Sequence, residues 1–74
     1  MINDNFYKNL GISIKHQRER LNLTQQNLAD KVGITLNHMG KIEVAFSKPS
    51  ISTIIKIANA LELSVSDLCN FQNL

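Results

Sequence analysis

The stretch from Leu23 to Ile42, LTQQNLADKVGITLNHMGKI, constrains this chain more than any other part of it. Thr24 is placed as a helix N-cap, because its short polar side chain can accept a bond from an otherwise unpaired backbone N–H. Leu28, Ala29 and Val32 then recur at helical spacing. Gly33 follows the last apolar position, where a left-handed residue stops a helix. Ile34 fills the corner, Thr35 caps again, and Met39 and Ile42 supply a second apolar face. The stretch reads as two short helices hinged at a single glycine.

The same rules place helices on either side. A first helix is expected over about Asp4 to Leu21, with Phe6, Leu10, Ile14 and Leu21 near one face and Arg18 among them. Asn22 and Leu23 connect it to the second helix, about Gln25 to Val32. The third is expected from about Leu36 to Val44, followed by a loop, Ala45 to Pro49. Pro49 and Ser50 signal a fourth start, with Ser50 as N-cap. That helix, about Ile51 to Leu61, is expected to bury Ile51, Ile54, Ile57, Ala58 and Leu61. Ser64 caps a short fifth helix from Val65 to about Phe71, with Asp67 completing a variant of the capping box. β-Branched residues are frequent at 51–57, but their spacing and the polar Ser52, Thr53 and Lys56 fit a helix better than a strand. The expected fold is all-α, a compact five-helix single domain over residues 1–74.

Composition narrows the class. A hydrophobic content of 43% argues against disorder. A chain of 74 residues buries little surface, so stability is expected to be modest unless a partner helps. The net charge of +2 permits a nucleic-acid partner without requiring one. The single Cys69 fits a reducing compartment, and the polar start MINDNFYKNL does not resemble a signal peptide, so a cytoplasmic location is expected. No apolar run approaches the roughly 18 residues that span a bilayer, so no membrane partner is expected. His16, His38 and Cys69 lack metal-site spacing, and neither a nucleophilic catalytic arrangement nor a glycine-rich phosphate loop occurs. No cofactor, metal or enzyme activity is expected, and Cys69 reads as a small buried hydrophobe.

Two helices joined by a short turn containing glycine form a helix-turn-helix, whose second helix commonly enters the DNA major groove. The exposed edge of that helix would be Thr35, Leu36, Asn37, His38 and Lys41. Asn37 can pair with adenine N6 and N7, Lys41 can donate to guanine or phosphate, and Leu36 can pack on a thymine methyl. Thr35 caps, though its hydroxyl could also reach phosphate, and His38 is a further candidate contact. Gln25, in the first turn of the second helix, can donate to phosphate beside the positive helix end, with Gln26 in support. Gly40, inside the third helix, should cost roughly 0.8–1 kcal/mol against alanine. Arg18 and Glu43 each sit on an otherwise apolar face, and a buried charge needs a partner, so the two are expected to pair.

The chain resembles the phage Cro/repressor-like, or XRE-type, helix-turn-helix family across about residues 10–69. Gly11, Arg18, LTQQNLADKVGIT, Ile42-Glu43, Pro49-Ser50 and IIKIANALELSVSDL carry the likeness. The resemblance implies that Gln25 sits on phosphate and that Leu36, Asn37 and Lys41 read bases. It also implies that Ser47 and Lys48, in the loop after the third helix, face the DNA backbone. Many members place a polar or basic residue and then glycine after the helix-three glutamate, whereas this chain reads Val44-Ala45-Phe46.

The expected function is a DNA-binding transcriptional regulator working as a homodimer on a roughly palindromic operator, because one motif covers only half a site. Ile55, Phe71 and Leu74 are the expected dimer seam, which Phe46 could extend. With no sensor domain expected, control would run through expression level and dimerisation. RNA polymerase would be either occluded or contacted. Rival readings are an antitoxin that binds a toxin and represses its own operon, a restriction–modification controller, a mobile-element regulator, and a protein–protein adaptor that kept the fold without DNA binding.

Overall fold

Four caps and four left-handed stops cut the chain into five helices. In the computed structural model, which describes residues 4–72, these are α1 (Asp4–Arg20), α2 (Gln25–Val32), α3 (Leu36–Glu43), α4 (Ile51–Ala60) and α5 (Val65–Leu68). Thr24, Thr35, Ser50 and Ser64 each accept a bond from the backbone N–H three residues on. At Thr24 the cap is reciprocal: the Asn27 side chain accepts from the Thr24 N–H at 3.0 Å.

The first four helices end alike. Asn22, Gly33, Ala45 and Glu62 take positive φ (58°, 85°, 64° and 62°). The N–H of the following residue then returns to a carbonyl five positions back, as from Leu23 to Arg18 and from Ile34 to Ala29. This is the Schellman closure, in which an apolar residue after the left-handed one usually packs back on its helix.

Leu10, Ile14, Leu28, Met39, Ile42, Ile57, Leu61 and Leu68 are fully buried and form one core with Ala29, Val32, Ile54 and Ala58. The two residues expected to face inward from α3, Met39 and Ile42, are both there. Gly11 sets the approach of α1 to α3. A Cβ on Gly11 would lie 2.8 Å from the Glu43 carbonyl carbon and 2.9 Å from the Ile42 oxygen, so only glycine lets these backbones touch. The buried Ser13 hydroxyl donates to the Leu68 carbonyl at 2.6 Å, fastening α5 to α1.

Two expectations need correction. Helix α5 ends at Leu68, not near Phe71. The Leu68 carbonyl is taken by Ser13, and the Asn70 N–H turns back to Asp67 at 3.2 Å, which tightens the chain out of the helix. Ile51 is 66% exposed, not buried. It is the first residue of α4, and helical side chains lean toward the N-terminus, so its side chain projects past the helix end and off the core. Helices α1, α3 and α4 stop one residue before the expected bounds, at Arg20, Glu43 and Ala60. Cys69 is half-buried against the core, and burial pushes its thiol above the ordinary range, which keeps it a poor nucleophile.

Candidate nucleic-acid interface

Two of the three buried polar side chains among the described residues, Arg18 and Glu43, pair with each other. Arg18 Nε donates to Glu43 Oε2 at 2.8 Å, and Nη2 donates to Oε1 at 3.2 Å. Arg18 Nη1 donates to the Leu23 carbonyl at 2.8 Å, so each guanidinium nitrogen is engaged within the fold. The hydrogen bond with Glu43 raises the Arg18 pKa against the opposing effect of burial. The expected pair is therefore present, and it carries a third member that the residue pattern did not reveal. Gln25 Nε2 donates to Glu43 Oε1 at 3.0 Å. One carboxylate thus joins the end of α1, the start of α2 and the end of α3.

This anchor holds the outward face of α3 beside the N-terminus of α2. Gln25, Leu36, Asn37, Gly40, Lys41 and Val44 line a shallow groove there. Asn37 and Lys41 are exposed and stand at i and i+4, which puts them on one side of the helix. Leu36 is exposed beside them. Leu36, Gly40 and Val44 recur every four residues, so an uncharged strip runs along the helix next to the polar pair. Gly40 opens this groove: a Cβ built there would find only Gln25 Oε1, at 3.9 Å.

The remaining candidates divide. Thr35 caps α3, its hydroxyl accepting from the His38 N–H at 3.0 Å. The half-buried His38 ring lies 3.3 Å (Nε2) from Ser47 Oγ, a bond that ties the loop after α3 back to the helix. Lys48 is exposed, with its ammonium 5.5 Å from the centre of the Tyr7 ring, a cation–π arrangement. Gln26 is exposed and donates to Asp30 at 2.8 Å. Phe71, assigned to the seam, packs its ring edge-to-face on Phe6 with centroids 5.7 Å apart. Ile55 is exposed on the outer side of α4, one turn after the exposed Ile51. Leu74 lies outside the described residues. Val44 and Phe46, at 68% and 85% exposure, are the most exposed large apolar residues among those described. Their signal in the sequence was the departure from the polar-then-glycine pattern after Glu43.

Among the described residues no group of three or more His, Cys, Asp or Glu side chains could hold a metal ion. None of the described helices is long and apolar enough to cross a membrane.

Comparison with known proteins agrees with this geometry. A helix-turn-helix family model matches residues 14–68, most of the chain. The chain is 39% identical over 56 residues to the cryptic phage CTXphi transcriptional repressor RstR of Vibrio cholerae, covering 76% of this chain and 50% of that protein. It spans about half the length of the curated relatives it matches. Among solved structures, the restriction–modification controller protein C.AhdI from Aeromonas hydrophila superposes with a TM-score of 0.81 at 26% identity, covering 84% of this chain and 94% of that one. The biofilm master regulator SinR, solved in complex with DNA, superposes with a TM-score of 0.76 at 29% identity, covering 82% of this chain and 98% of that one. The chain belongs to the helix-turn-helix family of Cro/repressor-like, XRE type.

Proposed function

We propose that this protein is a sequence-specific double-stranded DNA-binding transcriptional regulator, acting as a homodimer on a palindromic operator with α3 in the major groove. One observation carries the reading. Leu36, Asn37 and Lys41 share the outward face of a helix whose other face, Met39 and Ile42, is locked into the core. Such a helix presents side chains to a groove without needing to move. Asn37 pairs with adenine N6 and N7, Lys41 donates to guanine O6 and N7 or to phosphate, and Leu36 packs on a thymine methyl.

The backbone contacts follow from the start of α2. Thr24 satisfies the Asn27 N–H, and the N–H groups of Gln25 and Gln26 point out of the helix start, where the dipole favours an anion. Gln25 keeps its side-chain amide aimed by Glu43 while it meets phosphate. Lys48 and Ser47 extend this line after α3. The RstR relative is named a transcriptional repressor and SinR was solved on DNA, both in keeping with the reading.

For the dimer, the seam centres on Ile55 with Ile51, since the Phe71 ring is already used against Phe6. An isolated motif reads only half a site, so a two-fold mate is required for tight binding. Sedimentation of wild type and Ile55→Glu, with fluorescence anisotropy on a duplex selected from a random pool, tests both parts. The reading expects a dimer that Ile55→Glu dissociates, and wild-type binding that weakens linearly on a log–log salt plot. Salt-insensitive binding, or no affinity for any duplex, would favour the adaptor instead.

A further inference from the structure

The first four helices close with the same backbone turn, yet only one leaves its closing apolar residue uncovered. Leu23, Ile34 and Leu63 follow Asn22, Gly33 and Glu62 and pack against the core. Phe46 follows Ala45 with the same returning bond, N–H to Lys41 carbonyl at 2.8 Å, and is 85% exposed. The described residues leave Phe46 largely uncovered. Val44, just before the turn, lines the groove of the α3 face and also a neighbouring one with Ile12, Lys15 and His16 of α1. On the far side it shares a third groove with Tyr7, Lys8, Phe46 and Lys48. The apolar turn is thus continuous with the candidate interface.

The surroundings say what covers it. Apart from the buried Arg18–Glu43 pair, the three grooves are lined by four lysines (Lys8, Lys15, Lys41, Lys48) and one carboxylate (Glu19). A second copy seated here would set the same lysines face to face. A polyanion is the complementary occupant. The turn cannot hold that polyanion by backbone bonds, however. The N–H groups of Val44, Ala45, Phe46 and Ser47 are all spent inside the fold, on Gly40, Ile42 and twice on Lys41. What remains to offer is apolar surface.

We propose that Val44 and Phe46 pack on the deoxyribose faces of the DNA backbone, beside phosphates neutralised by Lys48 and the neighbouring lysines. This rests on the DNA-binding reading above and adds to it a contact that carries affinity without carrying charge or sequence. The bonds from the Ala45 and Phe46 N–H groups to Ile42 and Lys41 hold Ala45 in its left-handed conformation and place Phe46 at the rim.

The test is anisotropy of wild type, Phe46→Ala and Phe46→Leu across a salt series. The probes are a mixed-sequence duplex of about 20 base pairs and the best duplex selected from a random pool. Because Phe46 is exposed, all three proteins should melt alike. Phe46→Ala is expected to weaken binding roughly 5–30-fold on both duplexes, with the salt slope unchanged, and Phe46→Leu to retain most of it. Wild-type affinity in Phe46→Ala overturns the proposal, as does a loss of affinity with a flatter slope, which would assign the turn to phosphate chemistry. A dimer lost in Phe46→Ala sedimentation overturns it too, moving the patch to the contact between copies. Wild-type protein that binds neither duplex would remove the DNA-binding reading itself, a failure distinct from these.

Discussion

The Gln25 side chain donates to Glu43 at 3.0 Å, on the oxygen that Arg18 also reaches. The residue proposed to meet phosphate is therefore oriented by the residue that neutralises the buried arginine. Stability and the proposed DNA contact share one carboxylate.

Breaking that arrangement from one side should be costly. Arg18→Met strands Glu43 in a buried site and is expected to destabilise the domain by roughly 3–5 kcal/mol, much of what so small a core supplies. Arg18→Met with Glu43→Leu removes both charges and should recover much of the loss. Urea unfolding of the four proteins in the cycle checks this. A double variant as unstable as the two singles added together would show that the charges are not coupled.

Two glycines should respond in opposite directions. Gly11→Ala drives a methyl into the backbone at Ile42 and Glu43, so α1 and α3 must separate, at a cost of about 1–3 kcal/mol. Gly40→Ala meets only Gln25 Oε1, at an ordinary contact distance of 3.9 Å, within a helix and should stabilise by about 0.5–1 kcal/mol. Thermal melts read both. Equal shifts of the same sign would mean that the close approach at Gly11 is not what the packing demands.

Ala45 occupies the left-handed stop of α3 without the residue suited to it. Alanine at φ 64° carries about 1–2 kcal/mol of steric cost, partly offset in Ala45→Gly by the greater freedom of an unfolded glycine. A net gain of about 0.5–1 kcal/mol is expected, while Gly33→Ala at φ 85° should lose stability. Denaturant midpoints decide it. An Ala45→Gly variant less stable than wild type would contradict the left-handed assignment.

These cases also show what the sequence could disclose. The caps and the α2 stop were legible because Thr24, Thr35, Ser50, Ser64 and Gly33 act on their own few neighbours. Arg18 and Glu43 were legible because a charge on an apolar face demands a partner. The Gln25 bond was not, since it depends on how closely α2 and α3 are set, a distance no local pattern encodes. Ala45 and Glu62 gave no sign of positive φ, because their side chains do not favour it. Nothing near Phe71 in the sequence marks its ring as occupied, because its partner Phe6 lies on α1, at the other end of the chain. For Leu36, Asn37 and Lys41, residue pattern and structure agree on a shared outward face, which is what the proposed base contacts require.

On the phosphate side, Lys48→Ala should weaken binding to all duplexes and lower the salt slope by about one unit. The residue is exposed and lies over Tyr7, so the fold should survive the change. An unchanged slope would take Lys48 out of the phosphate set.

The most direct test of α3 as the reading helix is selection of bound duplexes from a random pool, followed by Asn37→Ala on the selected and on unselected DNA. The account predicts enrichment of a near-palindromic sequence. It also predicts a loss of about 1–3 kcal/mol for Asn37→Ala on that sequence, with little change on random duplex. No enrichment, or an equal loss on both DNAs, would contradict it.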